Sequence, residues 1–144
     1  MASTSFTATK STTIDTTPEK VWQALTTPEI VKQYMFGAEV VSDWQKDSPI
    51  MYKGEWEGKP YEDKGTILAI EPNKLLKATY FSALSGLEDK AENYNIVTYE
   101  LLSEVDGATK LIVTQTNNPT QEAANRAEKN WSMTLDTIKS LLEK

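Results

Sequence analysis

Apolar and polar positions alternate over Tyr52–Glu57, with Tyr52, Gly54 and Trp56 on one side and Lys53, Glu55 and Glu57 on the other. A period of two is the mark of a half-buried strand. The stretch "EGKP" predicts a turn into a second strand, "YEDKGTILAIE", whose apolar run spans Ile67 to Ile70. Further strands are predicted over "LLKATYFS", "NIVTYELL" and "TKLIVTQT". Val97, Tyr99 and Leu101 share one face, as do Leu111, Val113 and Gln115, and Asp106-Gly107 predicts a tight hairpin between the last two strands. Near the start, the threonine-rich "SFTATKSTTID" predicts an edge or partly exposed strand.

The period changes to three and four in three places. Thr17-Pro18-Glu19 and Thr27-Pro28-Glu29 each put a capping hydroxyl before proline and an acid, predicting two short helices. Asn118-Pro119 with Gln121 predicts an asparagine cap on a longer helix reaching about Glu143. Its apolar stripe runs Ala124, Ala127, Trp131, Leu135, Ile138 and Leu142, small at first and large at the end. The echo between "TTPEKVWQAL" and "TTPEIVKQYM" is a shared capping solution, since a repeat architecture needs a third copy. Consecutive hairpins predict an antiparallel sheet, and the long helix is the element able to cover its apolar face.

Composition narrows the chemistry. A chain of 144 residues fits one domain (residues 1–144) and can bury roughly two-thirds of its unfolded surface. The formal net charge is −6, and Arg126 is the only arginine, which argues against nucleic acid and anionic membranes. Histidine and cysteine are both absent, removing the usual neutral-pH base, thiol catalysis and thiolate metal sites. No Gly-rich phosphate loop or calcium-loop spacing is present, so no metal and no cofactor are expected. The opening "MASTSFTATK" has no apolar signal core, and no segment approaches the roughly 18 apolar residues of a membrane span. A soluble cytoplasmic domain is the expectation.

With these elements in order, "TIDTTPEKVWQALTTPEIVKQYMFG" resembles the opening of the START-like (SRPBCC) superfamily, in the subfamily related to the activator of heat-shock chaperone ATPase (AHSA1-like). The likeness continues through "YKGEWEGKPYEDKGTILAIEPNKLLKATYFS" and from "YELL" and "TQTNNPT" to "EKNWSMTLDTIKSLLEK". It implies an α+β helix-grip (START/Bet v 1-like) fold: a curved antiparallel sheet around the C-terminal helix, with two short helices after the first strand. It also implies a cavity between sheet and helix. Among relatives function ranges over hydrophobic-ligand binding, cyclase-like chemistry and chaperone activation. Relatives often carry an acid within the segment that here reads "TILAIE", where this chain has Ala69.

If the apolar parities face inward, Tyr52, Trp56, Tyr80, Val97, Tyr99, Leu111 and Val113 line the sheet side, with Gln115 beside them. Ala124 and Ala127 would leave space opposite, closed at the inner end by Trp131 and Leu135. Such a lining suits a small hydrophobic or amphipathic molecule, a lipid included. A plainly filled core produces the same stripe. Tyr34 and Phe36, together with Leu84 and Leu87 in the long loop "SALSGLEDKAENYN", are candidate entrance residues.

The acids of "PIMYKGEWEGKPYED" are the remaining candidates. Alternation sends Glu55 and Glu57 away from the apolar face, and adjacent Glu62 and Asp63 must point to opposite sides, so at most one points inward. Solvated hairpin charges are the favoured reading over a catalytic pair. The expected function is therefore non-enzymatic binding of a small hydrophobic ligand. A chaperone-interacting module is the alternative, and a hydrolase or cyclase using Glu62, Asp63 or a cavity tyrosine is third.

Overall fold

The computed structural model describes residues 6–35, 37–82 and 88–143; the side chain of Trp56 falls outside the description. The predicted order is found, with one strand, over Glu39–Ser42, that the pattern did not predict. Strand β1 (Phe6–Ile14) leads to helices α1 (Pro18–Thr26) and α2 (Pro28–Tyr34). Strands β2 (Glu39–Ser42), β3 (Pro49–Trp56), β4 (Lys59–Glu71), β5 (Leu75–Tyr80), β6 (Asn95–Ser103) and β7 (Thr109–Asn118) follow, and helix α3 (Gln121–Leu142) ends the chain. The strands form one curved antiparallel sheet in the order β1-β7-β6-β5-β4-β3-β2. Chain order is kept from β2 to β7, and β1 closes onto β7. This is the helix-grip arrangement.

The helix ends show where local rules hold and where tertiary structure overrides them. Thr17 caps α1, its hydroxyl accepting from the Lys20 N–H. Thr27 takes the cap position of α2 without a side-chain hydrogen bond, and its N–H closes α1 on the Gln23 carbonyl. The expected asparagine cap on α3 is corrected. Thr120 caps it, accepting from Ala123 N–H at 3.0 Å. Asn118 is buried at the end of β7, where its amide donates to the Phe6 and Gln115 carbonyls. A cross-strand tie to β1 has taken the side chain that the local motif assigned to the helix.

Alternation sorts the sheet into two faces. Ile14, Ile50, Ile67, Leu76, Val97, Leu101, Leu111 and Val113 are buried on the inner face with Val21, Val31, Leu135 and Ile138 from the helices. Helix α3 runs closest to β1 and β7 and also meets α1 and α2. It also covers the edge of β1. Glu143 accepts from the Asp15 N–H at 2.8 Å, and Lys139 donates to the Thr13 carbonyl at 2.6 Å. An edge strand whose backbone groups are satisfied by side chains is a poor template for association.

One irregularity in the sheet positions the candidate site. The β4–β5 register slips between Ile67 and Ala69, and pairing resumes as an isolated bridge between Lys64 and Phe81. Between these points the two backbones close on Gly65: a Cβ there would lie 1.7 Å from the Thr79 carbonyl oxygen. No side chain fits, so glycine is required by space rather than by its φ. Gly65→Ala is expected to destabilise the fold by at least about 2 kcal/mol, by forcing the two strands apart. Urea unfolding measures it; a loss below about 0.5 kcal/mol would show that the approach is not tight.

Candidate functional site

Tyr52, Gly54, Tyr61, Asp63, Gly65 and Tyr80 belong to the inward parity of β3, β4 and β5. Asp63 sits directly across from Tyr52 in the β3–β4 register. Tyr80 of β5 approaches from the other side, where its hydroxyl donates to Asp63 Oδ2 at 2.5 Å. Asp63 is only 7% exposed, the one charged side chain buried among the described residues. A carboxylate removed from water costs free energy unless the protein supplies donors. Tyr80 is one of the groups that does so.

The tyrosines gather around this carboxylate. Tyr52 and Tyr80 meet edge to face with ring centroids 6.4 Å apart. Tyr61 lies across β3 at Gly54, where a Cβ would come within 2.7 Å of the Tyr61 hydroxyl oxygen. Burial pushes the phenols of Tyr34, Tyr52, Tyr80 and Tyr99 up from their ordinary value, and for Tyr52 and Tyr80 the Asp63 charge adds to it. Tyr61, more exposed, is raised by the same two causes. Five of the six tyrosines in the chain therefore sense one shared interior.

A second polar line crosses from helix to sheet. The Trp131 indole N–H donates to Gln115 Oε1 at 2.9 Å, and Gln115 Nε2 donates to Asn118 Oδ1 at 2.8 Å. Trp131 also meets Tyr99 edge to face, with centroids 5.8 Å apart. Thus α3, β7 and β6 are held in register at one place by directional contacts as well as by apolar packing.

The expected site residues distribute as follows. Val97, Tyr99, Leu111, Val113, Ala124 and Ala127 are buried, while Tyr52, Tyr80, Gln115 and Trp131 are half-buried. Trp56 lies in β3, but its side chain, like Phe36, Leu84 and Leu87, lies outside the described residues. Tyr34, expected at an entrance, is inside: its hydroxyl donates to the Ala24 carbonyl at 2.8 Å. Glu55, Glu57 and Glu62 are exposed as expected, whereas Asp63 departs from the solvated-hairpin reading. Asp63 and Tyr61 were absent from the expected lining. Counting parity back from Ile67 through Gly65 would have found both, because the register slip lies beyond them.

Two shallow surface hollows lie elsewhere. One, of about 610 Å³, is bordered by Pro18, Glu19, Asn73, Lys74, Leu102 and Ser103 among others. The other, of about 350 Å³, is bordered by Thr66, Thr79, Asp89, Ala91 and Tyr94. No residue of the expected lining borders either one. Among the described residues no cluster of acids could hold a metal ion, and no helix is long and apolar enough to cross a membrane.

The raised phenols make alkaline behaviour predictable. Below about pH 10 both folded and unfolded tyrosines are protonated, and this contribution to stability is constant. Above it the unfolded chain releases protons that the folded chain retains, so stability falls as pH rises. Tyr34, Tyr52, Tyr80 and Tyr99 are expected to ionise together with the loss of circular dichroism. Tyrosinate absorbance from all six tyrosines before any unfolding would contradict this.

The geometry has counterparts among known proteins. A solution structure from Cytophaga hutchinsonii is 46% identical, with a TM-score of 0.84, covering 96% of this chain and 94% of that one. A crystal structure from Mesorhizobium loti is 23% identical with a TM-score of 0.76, covering 95% and 96% respectively. The solution structure of the Aha1 dimer from Colwellia psychrerythraea is 20% identical with a TM-score of 0.74, covering 96% of each chain. The last two likenesses show the fold alone. No curated protein matches the chain. The family model described as "Activator of Hsp90 ATPase homolog 1-like protein" matches residues 15–143, and the chain belongs to this AHSA1-like family of START-like domains.

Proposed function

We propose that the chain binds a small hydrophobic or amphipathic molecule between the inner face of the sheet and α3, without catalysing a reaction on it. The observation that carries this reading is the buried Asp63–Tyr80 pair within a largely apolar face. A core built for stability alone gains nothing from a desolvated carboxylate, whereas a ligand site uses a few placed polar groups within apolar walls. The half-buried Tyr52, Tyr80 and Trp131 give that face partial contact with solvent. Glu62 faces water while Asp63 faces the interior, so these two acids do not share a site in the manner of a glycosidase pair.

Family membership supports a second reading, in which the chain engages an Hsp90-type chaperone and alters its ATPase. Adding the protein to such a chaperone and measuring ATP turnover tests it; no binding and no rate change would remove it. For the first reading, native mass spectrometry with a sterol, a long-chain alcohol and a planar aromatic should show a one-to-one complex with at least one of them. NMR shifts should then centre on Trp131, Tyr52 and Tyr80. Absence of any complex, or shifts confined to the two surface hollows, would contradict it.

A further inference from the structure

One end of the sheet carries a surface that the inner face does not use. Alternation buries Leu101 of β6 and turns Glu100 and Leu102 outward. Beside them lies the larger hollow, of about 610 Å³, between the start of α1, the β4–β5 turn and the end of β6. Pro18, Pro72, Leu75 and Leu102 give it apolar borders. Leu102 is 49% exposed, and Val105, three residues further on in the β6–β7 turn, is 84% exposed. These are two of the four exposed large apolar side chains among the described residues. Chain length alone keeps them within about 11 Å of each other. Single exposed apolar residues are ordinary, whereas two beside an apolar-edged hollow mark a contact surface.

The charges around this surface are mostly acidic. Glu19 and Glu100 border the hollow, and Glu71, Glu104 and Asp106 lie in the segments beside it, against Lys20, Lys74 and Lys110. None of these eight forms an ion pair among the described residues. A second copy of the chain, docked through the same face about a two-fold axis, would set these acids against themselves. A small molecule filling the hollow would leave Val105, which does not border it, uncovered. We propose that this surface docks a segment of a different protein, one in which an apolar side chain is flanked by lysine or arginine. The apolar side chain enters the hollow beside Leu102, and its basic neighbours meet Glu19 and Glu100. The docking is independent of any ligand at the inner face, since neither Asp63 nor Tyr80 borders the hollow.

Three short synthetic peptides test the proposal: one with a central leucine between lysines, one with that leucine replaced by serine, and one with the lysines replaced by glutamates. Affinities are read by NMR titration of the full chain. The leucine–lysine peptide is expected to bind with a Kd below about 1 mM, at least about fivefold more tightly than either of the others. Its shifts should centre on Leu75, Leu102 and Ser103. Leu102→Ser should weaken it by at least about fivefold, and Glu19→Lys with Glu100→Lys should make the glutamate peptide the tighter ligand. All three substitutions fall on exposed side chains, and circular dichroism checks that the variants fold; should one not fold, the wild-type comparison decides. No binding at about 1 mM, equal binding of the glutamate peptide, shifts centred elsewhere, or unchanged affinity in folded Leu102→Ser overturns the proposal. Octylamine binding as tightly as the peptide would make the hollow a small-molecule site, and a dimer in sedimentation that Leu102→Ser abolishes would make the occupant a second copy; either result also overturns it.

Discussion

A carboxylate on the inner face of a sheet must find its hydrogen bonds within the protein, and Asp63 imposes that requirement on three strands at once. Tyr52 stands opposite it on β3, Tyr61 lies two residues before it on β4, and Tyr80 reaches it from β5. The last of these depends on the backbone. Tyr80 reaches Asp63 beside the point where Gly65 lets the β4 and β5 backbones close together. A local packing constraint and the polar centre of the candidate site are therefore one feature.

The rest of the fold supplies walls for that centre. Helix α3 is fastened at two points along β1 and β7. Toward its C-terminus, Lys139 bonds the Thr13 carbonyl of β1 and Glu143 the Asp15 N–H just after it. Nearer the middle, Trp131 joins the Gln115–Asn118 line that continues to Phe6 of β1. Directional contacts of this kind contribute less than apolar burial does. Their effect is to fix where the helix sits on the sheet.

Much of this was legible in the residues. The alternation of Tyr52, Gly54 and Trp56 and the three-four stripe of α3 specify element type and facing without tertiary information, and the resemblance supplied the topology. Three features were not legible, each because a distant partner decides it. Asn118 has a helix-cap motif but bonds to Phe6, more than a hundred residues away in the chain. Tyr34 occupies the last turn of a short helix, yet the carbonyl of Ala24 draws its hydroxyl inward. Asp63 sits in a run of acids whose composition says surface, and only its parity with Gly65 and Ile67 says otherwise. Composition outweighed register in reading that segment, and register was the better guide.

Asp63 and Tyr80 act as one buried unit on the inner face. A double-mutant cycle with Asp63→Asn, Tyr80→Phe and the double variant, measured by urea unfolding, tests it most directly. The structure predicts a coupling of about 1 kcal/mol or more, since Tyr80→Phe removes the donor and Asp63→Asn removes the charge that strengthens the bond. Additivity within about 0.3 kcal/mol would contradict the account, showing that the carboxylate and the phenol do not depend on one another.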